Sequence, residues 1–465
     1  MRDTTEDSWQ RLQGAQERLR RGFALYGYQV IDTPLLEPTE LFVRKSGGEL
    51  ATQMYTFSDP SGQRVSLRPE FTSSIMRHFL DGRRRRATPL RVQYAGPVLR
   101  YQAGDSVPHQ FTQVGAELLG SSSPSADAEI LGLAWEGLAS LGLRGHRLVL
   151  GDVGVHGQLL AAQGLSERAG SFILNELARS REGTQGTAGL QERAQRLRLL
   201  AEDGRQESLR AVVQRLSDRA ARRLLRELFQ EVERGPWGSR PPEEIVDRLL
   251  RKLRSGDSPA QVKEGLELAS SLARVKGEPG QALAQAEEII AARGLDPGAL
   301  QRLKSVMALL EEHPAPRVTL DFGLARGLAY YTGIVFEIEY TGIALGGGGR
   351  YDGLAQALGS RRDVPALGFA YHLERVVEAL GRRRGAARRV RRRSWPVLVV
   401  PREAGAQGPA LRLAAQLRLQ ETSVELGINE RNLEQSLAYA RQRGMARVIV
   451  VESDGTTTSH SIKGR

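Results

Sequence analysis

Four stretches set polar and charged side chains inside otherwise apolar, strand-like surroundings. In Ser66-Leu67-Arg68-Pro69-Glu70-Phe71-Thr72, a strand running into Arg-Pro-Glu would aim a carboxylate and a hydroxyl into a cleft, a pair suited to a ligand ammonium group. The plainer alternative is a strand-to-helix turn with Thr72 as helix cap. The second stretch places Arg100 before a polar loop and Gln113 and Glu117 after it. Gln113 and Glu117 are four apart and share one face of a strand. A buried polar face needs partners, which a ligand can supply, whereas a face turned to water needs none. In the third, Arg326-Gly-Leu-Ala-Tyr330-Tyr331, adjacent strand tyrosines would point to opposite faces, so at most one would line a given pocket without a bulge. Two ordinary half-buried strand aromatics are the plainer reading. The fourth, Gly346–Gly349 followed by Arg350-Tyr351-Asp352, permits close backbone approach to a ligand or forms a flexible turn.

Several chemistries are excluded. No cysteine is present, which removes disulfides, thiolate metal sites and cysteine nucleophiles together. The glycine run leads into Arg350 and not into Lys-Ser/Thr, so it is no phosphate-binding P-loop. There is no HExxH, no metal-ligand spacing of histidines and carboxylates and no GxSxG elbow, and the seven histidines are scattered. No metal site is expected.

The elements that must position these residues follow from periodicity. Residues 7–27 carry Trp9, Leu12, Ala15 and Leu19 at helical spacing, and a short strand over 28–32 runs into Thr33-Pro34. Strands are expected over 54–59, 64–67, 90–94, 98–101, 113–119 and 146–151, with a helix over 126–140. Many strands with few helices between them predict a mixed, largely antiparallel sheet. From about 160 to 313 the pattern is helical, with breaks at Gly235-Pro236, Pro241-Pro242 and 277–280, and reads as an all-helical insertion. Strands resume over 317–321 and 333–340, and a helix over 373–380 closes that part. Beyond it, a strand at 395–400, a helix at 408–420, a strand at 423–426, a helix at 430–443 and a strand at 447–451 alternate as a small α/β domain.

The length of 465 residues suits about three domains. With 40% hydrophobic and 26% charged residues, the composition is that of a globular α/β-type chain and not a disordered or fibrous one. No run approaches the roughly 20 apolar residues of a membrane span, and the charged N-terminus has no signal-peptide stretch, so the expected compartment is the cytoplasm. The net charge of +12 gathers in Arg83–Arg86 and in 382–393, where eight of twelve residues are arginine. Such runs serve as solvated linkers or as polyanion contacts.

In this order the four stretches resemble the histidyl-tRNA synthetase family. The likeness covers 20–160 and 317–380, and 396–465 looks like that family's anticodon-binding domain. It implies an α+β fold, a class II aminoacyl-tRNA synthetase-like antiparallel sheet flanked by helices, with 22–42 resembling the dimer-interface motif. The implied domains are a core of 1–160 and 317–380, a helical insertion at 161–316, an Arg-rich linker at 381–394 and an anticodon-binding-like α/β domain at 395–465. Glu70, Thr72, Gln113, Glu117, Tyr330 and Tyr331 fall where the family holds histidine. Arg100 and Arg375 match two arginines that hold ATP phosphates, and Arg326 opens a signature resembling the family's own and would be catalytic in a ligase.

The family has two branches: ligases that charge tRNA, and synthetase-like regulatory subunits of ATP phosphoribosyltransferase, the first step of histidine biosynthesis. The histidine-side residues here match both. On the nucleotide side, Gln102 replaces the glutamate of the Phe-Arg-x-Glu motif, and the loop before Gln113 lacks its arginine. His372 stands where a glycine usually lies beside the adenine, two residues before Glu374-Arg375. The expectation is therefore a catalytically inactive, histidine-binding regulatory subunit, a homodimer or larger hetero-oligomer with the phosphoribosyltransferase catalytic subunit, needing no cofactor and no membrane. The alternative is an active histidine–tRNA ligase using ATP, Mg²⁺ and tRNA.

Overall fold

Along the chain the strands are β1 (Gln29–Val30), β2 (Leu36–Pro38), β3 (Thr56–Ser58), β4 (Arg64–Leu67), β5 (Leu90–Leu99), β6 (Gln110–Leu119), β7 (Arg147–Asp152) and β8 (Lys276–Gly277). They continue as β9 (Val318–Asp321), β10 (Ile334–Tyr340), β11 (Ile343–Arg350), β12 (Ala366–His372), β13 (Val397–Pro401), β14 (Val424–Leu426), β15 (Arg447–Val451) and β16 (Thr457–Ser461). The computed structural model describes residues 3–43, 47–82, 87–101, 109–181, 212–213, 215–232, 246–247, 250, 257, 259–313, 316–324, 330–381, 396–429 and 432–462. They fall in two compact units, one of Met1–Gly154, Val275–Glu287 and Pro297–Arg465, the other of Val155–Arg274 and Glu288–Asp296.

The first unit is built on a sheet ordered β1-β5-β6-β12-β11-β10-β7-β9-β8. It is largely antiparallel, with parallel pairing at β1–β5 and β7–β9. The strands expected at 90–94 and 98–101 are one strand, β5, paired with β6 along its whole length. Pro97 is tolerated inside it because β1 covers β5 only at Val92 and Gln93, which leaves Pro97 on an open edge where no ladder donor is lost. A cluster of Phe71, Ile75, Met76, Phe79, Tyr94 and Val98 packs the helix Thr72–Gly82 against this part of the sheet. β2, β4 and β3 make a separate antiparallel sheet that leads the chain into Arg68-Pro69-Glu70.

The glycine run is neither a turn nor a loop. Gly346–Gly349 lie in β11, between β10 and β12. A Cβ at Gly348 would stand 1.9 Å from the Gly368 carbonyl oxygen, so only glycine lets these strands approach. On the far side the helix Pro124–Ser140, capped by Ser123 and carrying proline at its start, packs against the helices Glu6–Leu25 and Gln301–Glu311. The last of these lies inside the 161–316 span read as an insertion, yet it packs within the first unit, where Arg302 pairs with Asp127.

The small C-terminal part is the α/β element expected: β13 lies between β14 and β15, parallel to both, and β16 adds an antiparallel edge. It meets the core through a buried charge cluster. Arg91 donates from Nε and Nη2 to the Glu129 carboxylate, both at 2.8 Å, and from Nη1 to Glu425 at 3.3 Å. Burying such charges is tolerable because each is paired and hydrogen-bonded.

The second unit is helical in its described residues. Leu160, Leu165, Ala169, Phe172, Ile173, Val262 and Ala269 form one core, and Val213, Ala221, Leu225, Val246 and Leu250 another. The Asp257 carboxylate accepts from the Ser166 backbone N–H and hydroxyl, both at 2.6 Å. Among the described residues, no helix is long and apolar enough to cross a membrane.

Candidate functional site: a cavity with two unlike ends

A cavity of about 450 Å³ opens in the first unit between β6, β11 and β12 and the start of the helix Thr72–Gly82. All six residues placed on the histidine side by resemblance line it, as do Arg100 and Arg375. Arg326 lies outside the described residues. So do Gln102 and the loop over 102–108, and the arginine runs Arg83–Arg86 and 382–393.

At one end the register does the positioning. β6 sets Glu117 opposite Gly368 of β12 and Gln113 opposite His372, so two residues four apart present one polar face to the cavity. A Cβ at position 368 would lie 1.6 Å from Glu117 Oε2, so this glycine makes the room for the carboxylate. Three neutral hydroxyls converge on it. Thr72 donates to Oε1 at 2.8 Å, Tyr94 to Oε1 at 3.1 Å and Tyr351 to Oε2 at 2.6 Å. Burial pushes the Glu117 carboxyl up to about 8 against these three hydrogen bonds, and the nearby Glu70 charge adds to the rise. Burial first, and then the Glu117 charge, raise the Tyr94 and Tyr351 hydroxyls well above their ordinary value, so both stay donors.

Glu70, not Thr72, caps the helix. Its carboxylate accepts the Ser73 N–H at 3.1 and 3.2 Å while still lining the cavity, which leaves the Thr72 hydroxyl for Glu117. Gln113 Oε1 is buried and, among the described residues, has no hydrogen-bond partner, an acceptor open to a donor. Both Tyr330 and Tyr331 line the cavity, with ring centroids 5.1 Å apart. The expectation that only one could do so assumed a strand. The pair instead sits ahead of β10, where the period-two alternation does not apply.

The other end is differently made. The His372 imidazole lies flat on Phe111, centroids 4.2 Å apart and planes 5° from parallel. The Arg100 guanidinium stands 5.5 Å from the same ring centroid and its Nε donates to the Pro69 carbonyl at 2.8 Å. Glu374 accepts the Thr112 N–H at 2.9 and 3.0 Å, and its Oε2 is 3.3 Å from His372 Nδ1. Although burial opposes it, these contacts hold the Glu374 carboxyl below its usual value. Arg375 donates to the Ala344 carbonyl at 3.2 Å. A flat aromatic face between arginines could stack a nucleobase, but here an imidazole of the chain itself covers it.

Sequence reasoning missed Tyr94, Phe111 and Gly368, and it quoted Tyr351 and Glu374 without giving either a role. Tyr351 carried the best signal, standing directly after the glycine run. The others are ordinary strand or helix residues until the register is known. Among the described residues no group of three or more His, Asp or Glu could hold a metal ion.

The family profile described as histidyl-tRNA synthetase matches residues 1–234 and 243–376. The chain is 29% identical to a histidine–tRNA ligase of Pyrococcus furiosus over 94% of this chain and 86% of that protein. It is 29% identical to another from Methanocaldococcus jannaschii over 97% and 90%. Among solved structures, a Bacillus halodurans protein described as an ATP phosphoribosyltransferase regulatory subunit/histidyl-tRNA synthetase aligns with TM-score 0.57 at 23% identity, covering 97% of both chains. At that identity the likeness shows the fold alone. A histidine–tRNA ligase subunit of Alicyclobacillus acidocaldarius aligns with TM-score 0.50 at 27% identity, covering 82% of this chain and 96% of that one.

Proposed function

The chain belongs to the histidyl-tRNA synthetase family, and on that premise we propose that it binds L-histidine without activating it and serves as a regulatory subunit of ATP phosphoribosyltransferase. The observation carrying this reading is the contrast within one cavity. Glu70, Thr72, Gln113, Glu117, Tyr330 and Tyr331 gather at one end, while His372 covers the Phe111 face at the other. The Glu70 carboxylate suits the amino acid's ammonium group, and Glu117 and Gln113 offer polar partners to its imidazole. ATP fits poorly, because an adenine on Phe111 would have to displace the His372 ring. No chemical step is assigned to the chain.

Feedback then requires histidine to bind the inhibited assembly more tightly than the active one, since a ligand shifts an equilibrium only by its differential affinity. The test is reconstitution with the phosphoribosyltransferase catalytic subunit of the same organism. A stable complex whose activity histidine suppresses is expected. No complex, together with histidine-dependent charging of tRNA, would overturn the reading.

A second reading, an active histidine–tRNA ligase, has its own support, and the names of the relatives favour it. Ligases 29% identical to the chain span nearly its whole length, and Arg100 and Arg375 both line the cavity. In that case these arginines would hold ATP phosphates, Arg326 would stabilise charge developing at the α-phosphate, and Mg²⁺ and tRNA would be required.

A further inference from the structure

We propose that Arg350 is a positioning residue for the histidine end of the cavity, working from the opposite face of the sheet to hold Tyr351 and the Tyr330-Tyr331 pair in place. This rests on the histidine-binding reading above and adds to it a dependence on side chains that do not line the cavity.

β11 ends at Arg350, so Tyr351 stands just beyond the ladder. Successive residues of an extended chain point to opposite faces. Tyr351 reaches into the cavity, where its hydroxyl donates to Glu117 at 2.6 Å. Arg350 reaches the other way, to the helix Pro124–Ser140, and is 3% exposed. Its Nε donates to Asp127 Oδ1 at 2.9 Å, and its Nη1 donates to the Ser121 carbonyl at 3.1 Å and to Asp352 Oδ1 at 3.0 Å. Gly333 leaves room for the stem, since a Cβ there would lie 3.2 Å from Arg350 Cδ. Neither Arg350 nor Asp127 lines the cavity.

Both tyrosine-bearing segments converge on this arginine. Thr332, next after Tyr331, donates its N–H to the Arg350 carbonyl at 2.8 Å, and its hydroxyl accepts the Asp352 N–H at 3.0 Å. Asp352 accepts the Ala366 N–H at 2.9 Å, and the Tyr351 N–H donates to the Ala366 carbonyl at 2.8 Å. Tyr351 therefore sits between two pinned neighbours, one tied to the helix and one to β12. A binding group has to be held to within about 0.5 Å, and such supporting bonds are what hold it. The guanidinium suits the task because its rigid fork meets three acceptors at once, which an ammonium on a flexible stem does not reproduce.

The plainer alternative is that these charges only staple the helix to the sheet, and a second arginine on the same carboxylate separates the two roles. Arg302 donates to Asp127 Oδ2 and, at 2.8 Å, to the Ser122 carbonyl. Among the described residues it makes no bond to either tyrosine segment. Arg302 braces the helix alone, whereas Arg350 braces the helix and the site.

The experiment is calorimetric titration of the full chain with L-histidine for the wild type, Arg350→Gln, Tyr351→Phe, the double variant and Arg302→Gln. Arg350→Gln should lower histidine affinity roughly tenfold. Tyr351→Phe should cost about fivefold on its own and under about twofold once Arg350 is gone, because the hydroxyl has already left its place. Arg302→Gln should lower the unfolding temperature and leave histidine affinity unchanged. If Arg350→Gln does not fold, Arg350→Lys keeps the charge without the fork and goes through the same cycle. Losses that multiply in the double variant, or a fall with Arg302→Gln as large as that with Arg350→Gln, would overturn this inference and leave the histidine reading intact. No histidine binding by the wild type would overturn that reading and this inference together.

Discussion

Glu117 and Glu374 line the same cavity, one at each end, and their carboxyls are shifted in opposite directions. Among the described residues Glu117 receives only hydroxyls, and burial pushes it up to about 8. Glu374 is also penalised by burial, but His372 and the Thr112 backbone N–H bring it below its usual value. The difference is one of completion. Glu374 has its partners within the chain and braces β6 to the helix Leu373–Gly381, whereas Glu117, beside the unpartnered Gln113 Oε1, still has a use for a polar ligand. One end keeps a buried carboxyl and an amide oxygen for a ligand, and at the other the His372 ring lies on Phe111.

The sharpest way to break that contrast is to remove the waiting carboxylate. Glu117→Ala should weaken histidine binding on the order of 100-fold, as when a site loses a buried polar contact to its ligand, and should leave nucleotide affinity untouched. Isothermal titration with each ligand separates the two. Next in size is clearing the covered face. His372→Gly should raise ATP affinity roughly tenfold, within the range of base–aromatic stacking, with histidine affinity unchanged. A fluorescent ATP analogue displaced by ATP would read this, and the addition of Gln102→Glu should extend the gain. Unchanged ATP affinity in both variants would mean that His372 is not what closes that end. Tyr351→Phe removes one of three donors to Glu117 and should cost about fivefold in histidine affinity, measured in the same titration.

The smallest effect is on stability, where the two carboxylates should act at opposite ends of the pH scale. Glu374 contributes stability above the ordinary carboxylate value and loses it as pH falls through its lowered one. Glu117, raised, favours the folded state at low pH and loses that contribution progressively as pH rises from about 4.5 to about 8. Thermal unfolding of Glu374→Gln should flatten only the acid side of the profile, and of Glu117→Gln only the decline between pH 5 and 8.

Much of this was readable from residue order. Strand β4 was expected over 64–67, the helix after Thr72 stood only as the plainer alternative to a cleft, and the alternation of 395–451 read correctly as a small α/β element. Glu70, Thr72, Gln113, Glu117, Tyr330 and Tyr331, far apart in the chain, line one cavity. What sequence could not supply was register and long-range pairing. Gly368 matters because β12 sets it against Glu117, 251 positions earlier, and Arg91 is an ordinary strand residue until Glu129 and Glu425 enclose it. The glycine run allowed two readings, and the close approach of β11 and β12 decided for a strand. Tyr330 and Tyr331 were misjudged because a strand rule was applied to residues ahead of the strand.

The central claim, a site that holds histidine and does not adenylate it, is tested most directly by histidine-dependent exchange of pyrophosphate into ATP on the purified chain. The same preparation would be titrated with histidine by calorimetry. Binding with exchange no faster than in the absence of histidine is the predicted result. Exchange above that background would mean that ATP displaces His372 from Phe111, that the nucleotide end works, and that the chain is a ligase.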